Sequence, residues 1–161
     1  MTGVDDADRD RYFEALLAAD RRAGLAVISD LRDRGAAPEA VLFDVVSACQ
    51  ARVGSCWQSG RLSVAQEHAA TAISNEAVDL VWGVTPEPPD PRGHVVVACV
   101  ENELHALPAR LVAATLAMQG WKVTELGPSA APAVLVEHLH RTGADVAAVS
   151  CTLSSGLPHA R

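Results

Sequence analysis

Two small groups of residues have the types and the spacing to do chemistry. Glu103 stands two residues before His105, and a carboxylate at that spacing can accept one imidazole N–H. That contact fixes the tautomer and makes the other ring nitrogen a better metal donor. His105 is therefore a candidate axial ligand for a metal cofactor, with Glu103 as its orienting partner. Both follow the apolar run His94-Val95-Val96-Val97-Ala98-Cys99-Val100, which reads as a buried strand. They fall in the strand-to-helix loop at the carboxyl edge of a parallel sheet, where open α/β folds bind ligands. The second group lies upstream: Trp57, then nine residues, then Glu67-His68.

The elements that must position these groups differ on the two sides of a proline-rich stretch. Thr85 to Gly93 carries four prolines, which excludes helix and central strand and marks a semi-rigid linker at 85–93. Before it, at 8–84, apolar residues recur at helical spacing: Tyr12, Leu16, Ala19, then Leu25, Ile28, Leu31. Gly35 closes the second helix and Pro38 opens a third through Val41, Val45, Ala48 and Cys49. Ser59-Gly60 breaks that helix, and Ser63 with Gln66 resembles a capping box for a fourth that runs to about Trp82. Four helices with short turns predict an up-down bundle. Trp57 ends the third helix and Glu67-His68 begin the fourth, so the loop between can turn all three toward one end of the bundle.

After the linker, at 94–161, the pattern becomes strand, helix, strand, helix, strand. Strands are expected at 94–100, 121–126 and 145–151, and helices at 107–119 and 131–141, with Gly120 and Gly143 as left-handed caps. This predicts a right-handed parallel βαβαβ unit. The fold class is α/β with an N-terminal all-α part.

With 161 residues, 49% of them hydrophobic, the chain has ample material for one domain or two small ones. A net charge of −7 argues against a nucleic-acid surface, which needs a basic patch. The arginine-rich stretch from Arg21 to Arg34 is interleaved with Asp20, Asp30 and Asp33 and reads as a solvated helix face. No apolar run approaches the ~20 residues of a spanning helix, and the first residues lack a signal-peptide pattern. The expected compartment is the cytoplasm. Cys49, Cys56, Cys99 and Cys151 form no CxxC pair and read as buried thiols.

The loop Glu103-Leu104-His105-Ala106-Leu107-Pro108 resembles the Asp/Glu-x-His-x-x-Gly loop of the Rossmann-like cobalamin-binding domain of methionine synthase and its relatives, with Pro108 in place of the glycine. In that family the histidine displaces the base of the cofactor's nucleotide tail and coordinates cobalt. Leu126-Gly127 is similar to the family's Leu-Gly turn, where Gly127 would permit close approach to the corrin or its tail. Ser150-Cys151-Thr152-Leu153 resembles its Ser-x-Thr/Leu segment, whose hydroxyls line the slot for the displaced dimethylbenzimidazole. Trp57-x9-Glu67-His68 matches the motif of the helix-bundle subdomain of CarH-type photoreceptors, in which these residues enclose the upper adenosyl group.

The resemblance implies a four-helix bundle followed by a Rossmann-like βαβαβ domain, holding adenosylcobalamin. It implies a light-sensing or signalling role rather than an enzyme, with a homo-oligomer or a regulatory protein as partner. No DNA-binding helix-turn-helix is expected before the bundle, so direct binding of nucleic acid is not. Gln58 stands where some of these photoreceptors have a second cobalt-binding histidine. The family's α/β domain has five strands and a Gly-Gly turn after the fourth. Three strands are expected here, the chain stopping at Gly156 to Arg161, which makes the domain abbreviated or the sequence a fragment. The competing expectations are a corrinoid protein carrying methyl groups for methyltransferases, which would need Glu103 and His105 but not Trp57, and a non-photochemical cobalamin sensor.

Overall fold

The computed structural model describes residues 3–152, and the chain divides into two compact units, Met1–Val84 and Thr85–Arg161. Among the described residues are six helices and a three-stranded parallel sheet. No helix among them is long and apolar enough to cross a membrane.

In the first unit, α1 (Asp6–Leu17) is opened by a capping box in which Asp5 and Asp8 each accept the other's backbone N–H. Helix α2 (Arg21–Asp33) is capped by Asp20, which accepts from Ala23 N–H at 2.9 Å. The third helix is continuous over 38–58. Its α-helical ends, Pro38–Ala40 and Ala48–Gln58, flank a π-helical stretch, Val41–Ser47. The wider π turn puts Val41, Leu42, Val45 and Val46 in the core, and Cys49, Val53 and Cys56 continue the buried face. Helix α4 (Val64–Trp82) begins with the expected Ser63–Gln66 capping box. Tyr12, Leu16, Ile28, Leu31 and Val78 fill the space between the four helices.

Two expectations need correction. Ala19 is not on the apolar face of the first helix: the chain turns there with φ +52°, donating to the Leu16 carbonyl, so that Asp20 can cap the next helix. The arginine-rich stretch is also more than a solvated face. Arg34 and Arg11 reach Asp8, a buried carboxylate, at 2.7 and 2.8 Å, and Arg21 pairs with Glu76 on α4. Burial pushes the Asp8 carboxyl up, but the hydrogen bonds from Arg34 and Arg11 outweigh it and hold it below 3.8.

In the second unit the strand order is β2-β1-β3, with β1 (His94–Cys99) central between β2 (Lys122–Gly127) and β3 (Val146–Ser150). All pairings are parallel, Val95 facing both Val123 and Val146, and α5 (Leu107–Met118) and α6 (Pro132–Thr142) make the crossovers. Pro108 lies in the first turn of α5, where its missing N–H leaves no hydrogen bond unmade. Gly120 and Gly143 take the left-handed conformation expected of them. The second strand runs one residue later than expected, because Trp121 N–H still closes the preceding helix on Leu116 O while Gly127 pairs with Ala98. A second difference concerns burial. The central strand is buried, but Val146 and Val149 of β3 remain 43% and 41% exposed and no residue of α6 is buried.

A pH dependence follows for the helical unit. The folded state holds the Asp8 carboxyl below its unfolded value, so its contribution is full above pH 3.8 and is lost as pH falls below it. Asp8→Asn should destabilise the unit by about 1–3 kcal/mol at pH 7 and flatten the loss of stability in acid. Urea unfolding at pH 7 and pH 3 checks this; equal acid sensitivity in variant and parent would contradict it.

Candidate functional site

The central strand ends at the sheet's carboxyl edge, and the chain turns there into a short loop before α5. Val100 N–H donates to Ser150 O at 3.0 Å, extending the pairing of β1 with β3, and Glu103 N–H returns to Val100 O at 2.9 Å. Asn102 has φ +67°, a conformation Asn adopts more readily than most residues. Its N–H donates to Ser129 Oγ at 3.0 Å. In return Ser129 N–H donates to Glu103 O and Ala130 N–H to Cys99 O, both at 3.0 Å. The loops after the first and second strands are thus fastened to each other. Gly127, with φ +76°, makes the turn into the second loop, and its Cα faces open space. A side chain there would meet no clash but would strain the backbone.

This frame buries the Glu103 side chain and leaves the imidazole of His105 outside, their side-chain exposures being 5% and 63%. Glu103 Oε1 accepts from His105 N–H at 2.9 Å and lies 2.6 Å from His105 Nδ1, while Oε2 accepts from Thr152 N–H at 2.7 Å. Burial pushes the Glu103 carboxyl up; the N–H groups of His105 and Thr152, together with their side chains, outweigh that and bring it down to about 2. An ionised carboxylate can only accept, so Nδ1 carries the proton. In that tautomer the ring's lone pair is at Nε2. Thr152 supports the carboxylate through its main-chain N–H and its side chain, and Ser150 supports the loop through its carbonyl. Leu153 and the terminal segment from Gly156 lie outside the described residues.

In the helical unit, Trp57 sits in the last turn of the third helix with 45% of its surface exposed. Glu67 lies in the first turn of α4, followed by His68. Here too a carboxylate holds an imidazole: Glu67 Oε2 lies 2.7 Å from His68 Nδ1, the carboxylate being mostly covered and the ring 73% exposed. Glu67 Oε1 accepts from Thr71 Oγ at 2.7 Å. The supporting residues Asn102, Ser129, Gln50 and Thr71 were not singled out from the sequence. For Asn102 the signal was available: Asn directly after a strand is a residue suited to a left-handed turn.

Both units match known protein families. Residues 8–81 and residues 93–161 each match a family described as B12 binding domain. The chain is built of two B12-binding domains, a helical one and a Rossmann-like one, and is a cobalamin-binding protein. Among solved structures it is similar to the monomethylamine corrinoid protein of Methanosarcina barkeri, at 15% identity and a TM-score of 0.82 over 96% of this chain and 74% of that one. It is also similar to a chain of the methanol:cobalamin methyltransferase complex from the same organism, at 14% identity and a TM-score of 0.52 over 96% of this chain and 60% of that one. At these identities the likeness is one of fold. No curated protein matches the chain.

The residues fit a corrinoid. A corrinoid's cobalt would take one imidazole nitrogen from the protein, and His105, held through Nδ1 by the buried Glu103 on an exposed ring, leaves Nε2 for it. The carboxylate anchoring that imidazole should titrate far below an ordinary glutamate. Carboxyl carbon NMR of the protein without cofactor should give Glu103 a midpoint of about 2; a midpoint near 4.5, the ordinary value, would contradict the hydrogen bonding described.

Proposed function

We propose that the chain is an adenosylcobalamin-binding light sensor that passes a change in conformation or assembly to a partner. The observation that carries the cobalamin part is the 2.6 Å contact between His105 Nδ1 and the buried Glu103 carboxylate. In this reading His105 is the lower axial ligand of cobalt and Glu103 orients it. Gly127 gives the backbone room beside the corrin or its tail, and Ser150 and Thr152 stand at the slot that takes the displaced base. Trp57, Glu67 and His68 enclose the upper adenosyl group, so that residues 8–84 act as a cap, 85–93 as the connection and 94–161 as the cofactor domain. When bound, adenosylcobalamin supplies a cobalt–carbon bond that absorbs visible light and breaks.

What supports the sensor reading is the helical unit. Its Trp57 is exposed, and its His68 is exposed and held by a carboxylate, the residue types a large upper ligand would need. The partner would be a second copy of the chain or a regulatory protein in the cytoplasm. A charge of −7 disfavours direct contact with nucleic acid.

A second reading has its own support. The solved structures that share this fold include a monomethylamine corrinoid protein and a methanol:cobalamin methyltransferase complex, so a carrier of methyl groups that is not itself an enzyme would use the same lower ligand. The two readings part on illumination. Protein loaded with adenosylcobalamin in the dark should change its absorption spectrum under green light and change its size on gel filtration; an unchanged spectrum overturns the sensor reading, and methyl transfer from bound methylcobalamin by a methyltransferase favours the carrier. Trp57→Ala should reduce the preference for adenosylcobalamin over methylcobalamin about tenfold; an unaltered ratio of dissociation constants removes Trp57 from the upper face.

A further inference from the structure

The helical unit contains a chain of polar side chains that runs from its buried centre to His68. Tyr12, fully buried on α1, donates from its hydroxyl to Ser74 Oγ at 3.4 Å, and Ser74, fully buried on α4, donates to Gln50 Oε1 at 2.9 Å. Gln50, on the third helix, donates from Nε2 to Thr71 Oγ at 2.5 Å. The Thr71 hydroxyl donates to Glu67 Oε1 at 2.7 Å, which Gln50 Nε2 also approaches at 3.5 Å, and Glu67 Oε2 holds His68 Nδ1.

The directions of these bonds are determined by chemistry. A carboxylate only accepts, so the Thr71 hydroxyl hydrogen points at Glu67 and its oxygen lone pairs are left for Gln50. Gln50 must then present its NH2 to Thr71, and its carbonyl oxygen to the Ser74 hydroxyl. A side-chain amide donates at one end and accepts at the other along this path without changing its ionisation. Asp or Glu at position 50 would place a second carboxylate beside Glu67, and Leu would leave the buried Ser74 hydroxyl without its acceptor.

We infer that Gln50 and Thr71 are positioning residues for the Glu67–His68 pair: they fix the Glu67 carboxylate so that His68 is held with its proton on Nδ1 and its free Nε2 turned outward toward the cofactor's upper ligand. The cofactor half of this inference rests on the proposed function, whereas the positioning half stands on the helical unit alone. The same device, a carboxylate pinned by neighbouring donors that orients an imidazole, holds His105 in the second unit. In the bundle the pinning donor is a side chain from the same helix, itself fixed by a side chain from the next.

The experiment uses the full chain labelled with 15N-histidine, as parent, Thr71→Val, Thr71→Ser and Gln50→Leu. In protein without cofactor, the His68 ring nitrogens, assigned by comparison with His68→Gln, should report the Nδ1–H tautomer in the parent and in Thr71→Ser. They should shift toward the tautomer mixture of a free histidine in Thr71→Val and Gln50→Leu. Adenosylcobalamin affinity should fall about tenfold in Thr71→Val and be restored by Thr71→Ser, with methylcobalamin affinity changed less than threefold. Thr71→Val is close in shape to the parent, so its fold should survive. Parent-like His68 nitrogens in Thr71→Val overturn the positioning role whether or not cobalamin binds. A shifted tautomer with unchanged adenosylcobalamin affinity keeps the positioning role and overturns its link to the upper ligand.

Discussion

The arrangement of the cofactor domain depends on a buried carboxylate. Glu103 is taken out of water at the end of the central strand, a costly move for a charge, and the cost is met by the N–H and ring Nδ1 of His105 and by the N–H and side chain of Thr152. The Thr152 donors come from just after the third strand, and the His105 donors from the loop that follows the first. The carboxylate therefore closes the edge of the sheet and orients the imidazole in a single contact set. Removing it would release both the loop and the strand end, which is why the order of the strands, β1 between β2 and β3, matters to the chemistry as much as to the core.

Around that contact the backbone is arranged to leave little freedom. Left-handed conformations at Asn102, Gly127 and Ser129 each cost conformational energy except at glycine. The two non-glycine positions are the pair that fastens the two loops together through Ser129 Oγ and N–H. These left-handed positions lie in two neighbouring loops on an otherwise regular parallel sheet, beside the Glu103–His105 pair. The helical unit repeats the chemistry with other means, holding Glu67 by side chains of a buried polar path rather than by main-chain N–H groups.

Much of this was legible in the sequence because it rests on local signals. The βαβαβ order follows from apolar runs alternating with helical spacing, and the Ser63–Gln66 cap and the left-handed Gly120 and Gly143 follow from residue type. Glu103 and His105 were legible as a pair because their contact spans only two residues. What escaped notice was nonlocal or geometric. The π turn at Val41–Ser47 leaves the apolar pattern looking helical, since apolar residues four apart, Val41, Val45, Cys49 and Val53, suit either winding. Ala19 looked like a core position because alanine is silent about its backbone conformation. Gln50 and Ser129 are ordinary polar residues whose partners lie on other elements, Thr71 links its own helix to the preceding one, and a main-chain N–H such as that of Thr152 carries no residue-type signature. The exposure of β3 and α6 was hidden for the same reason, as an apolar strand reads alike at the centre and at the edge of a sheet.

The central claim is that one protein imidazole, that of His105, is the lower ligand of a bound corrinoid. Electron paramagnetic resonance of the protein loaded with cob(II)alamin tests it most directly, because the axial nitrogen splits the cobalt lines by its own nuclear spin. Labelling the histidines with 15N should convert the triplets of an ordinary nitrogen ligand into doublets, and the doublets should vanish in His105→Ala. Triplets that persist in the 15N-histidine protein would show that the cofactor keeps its own base, and would contradict the account.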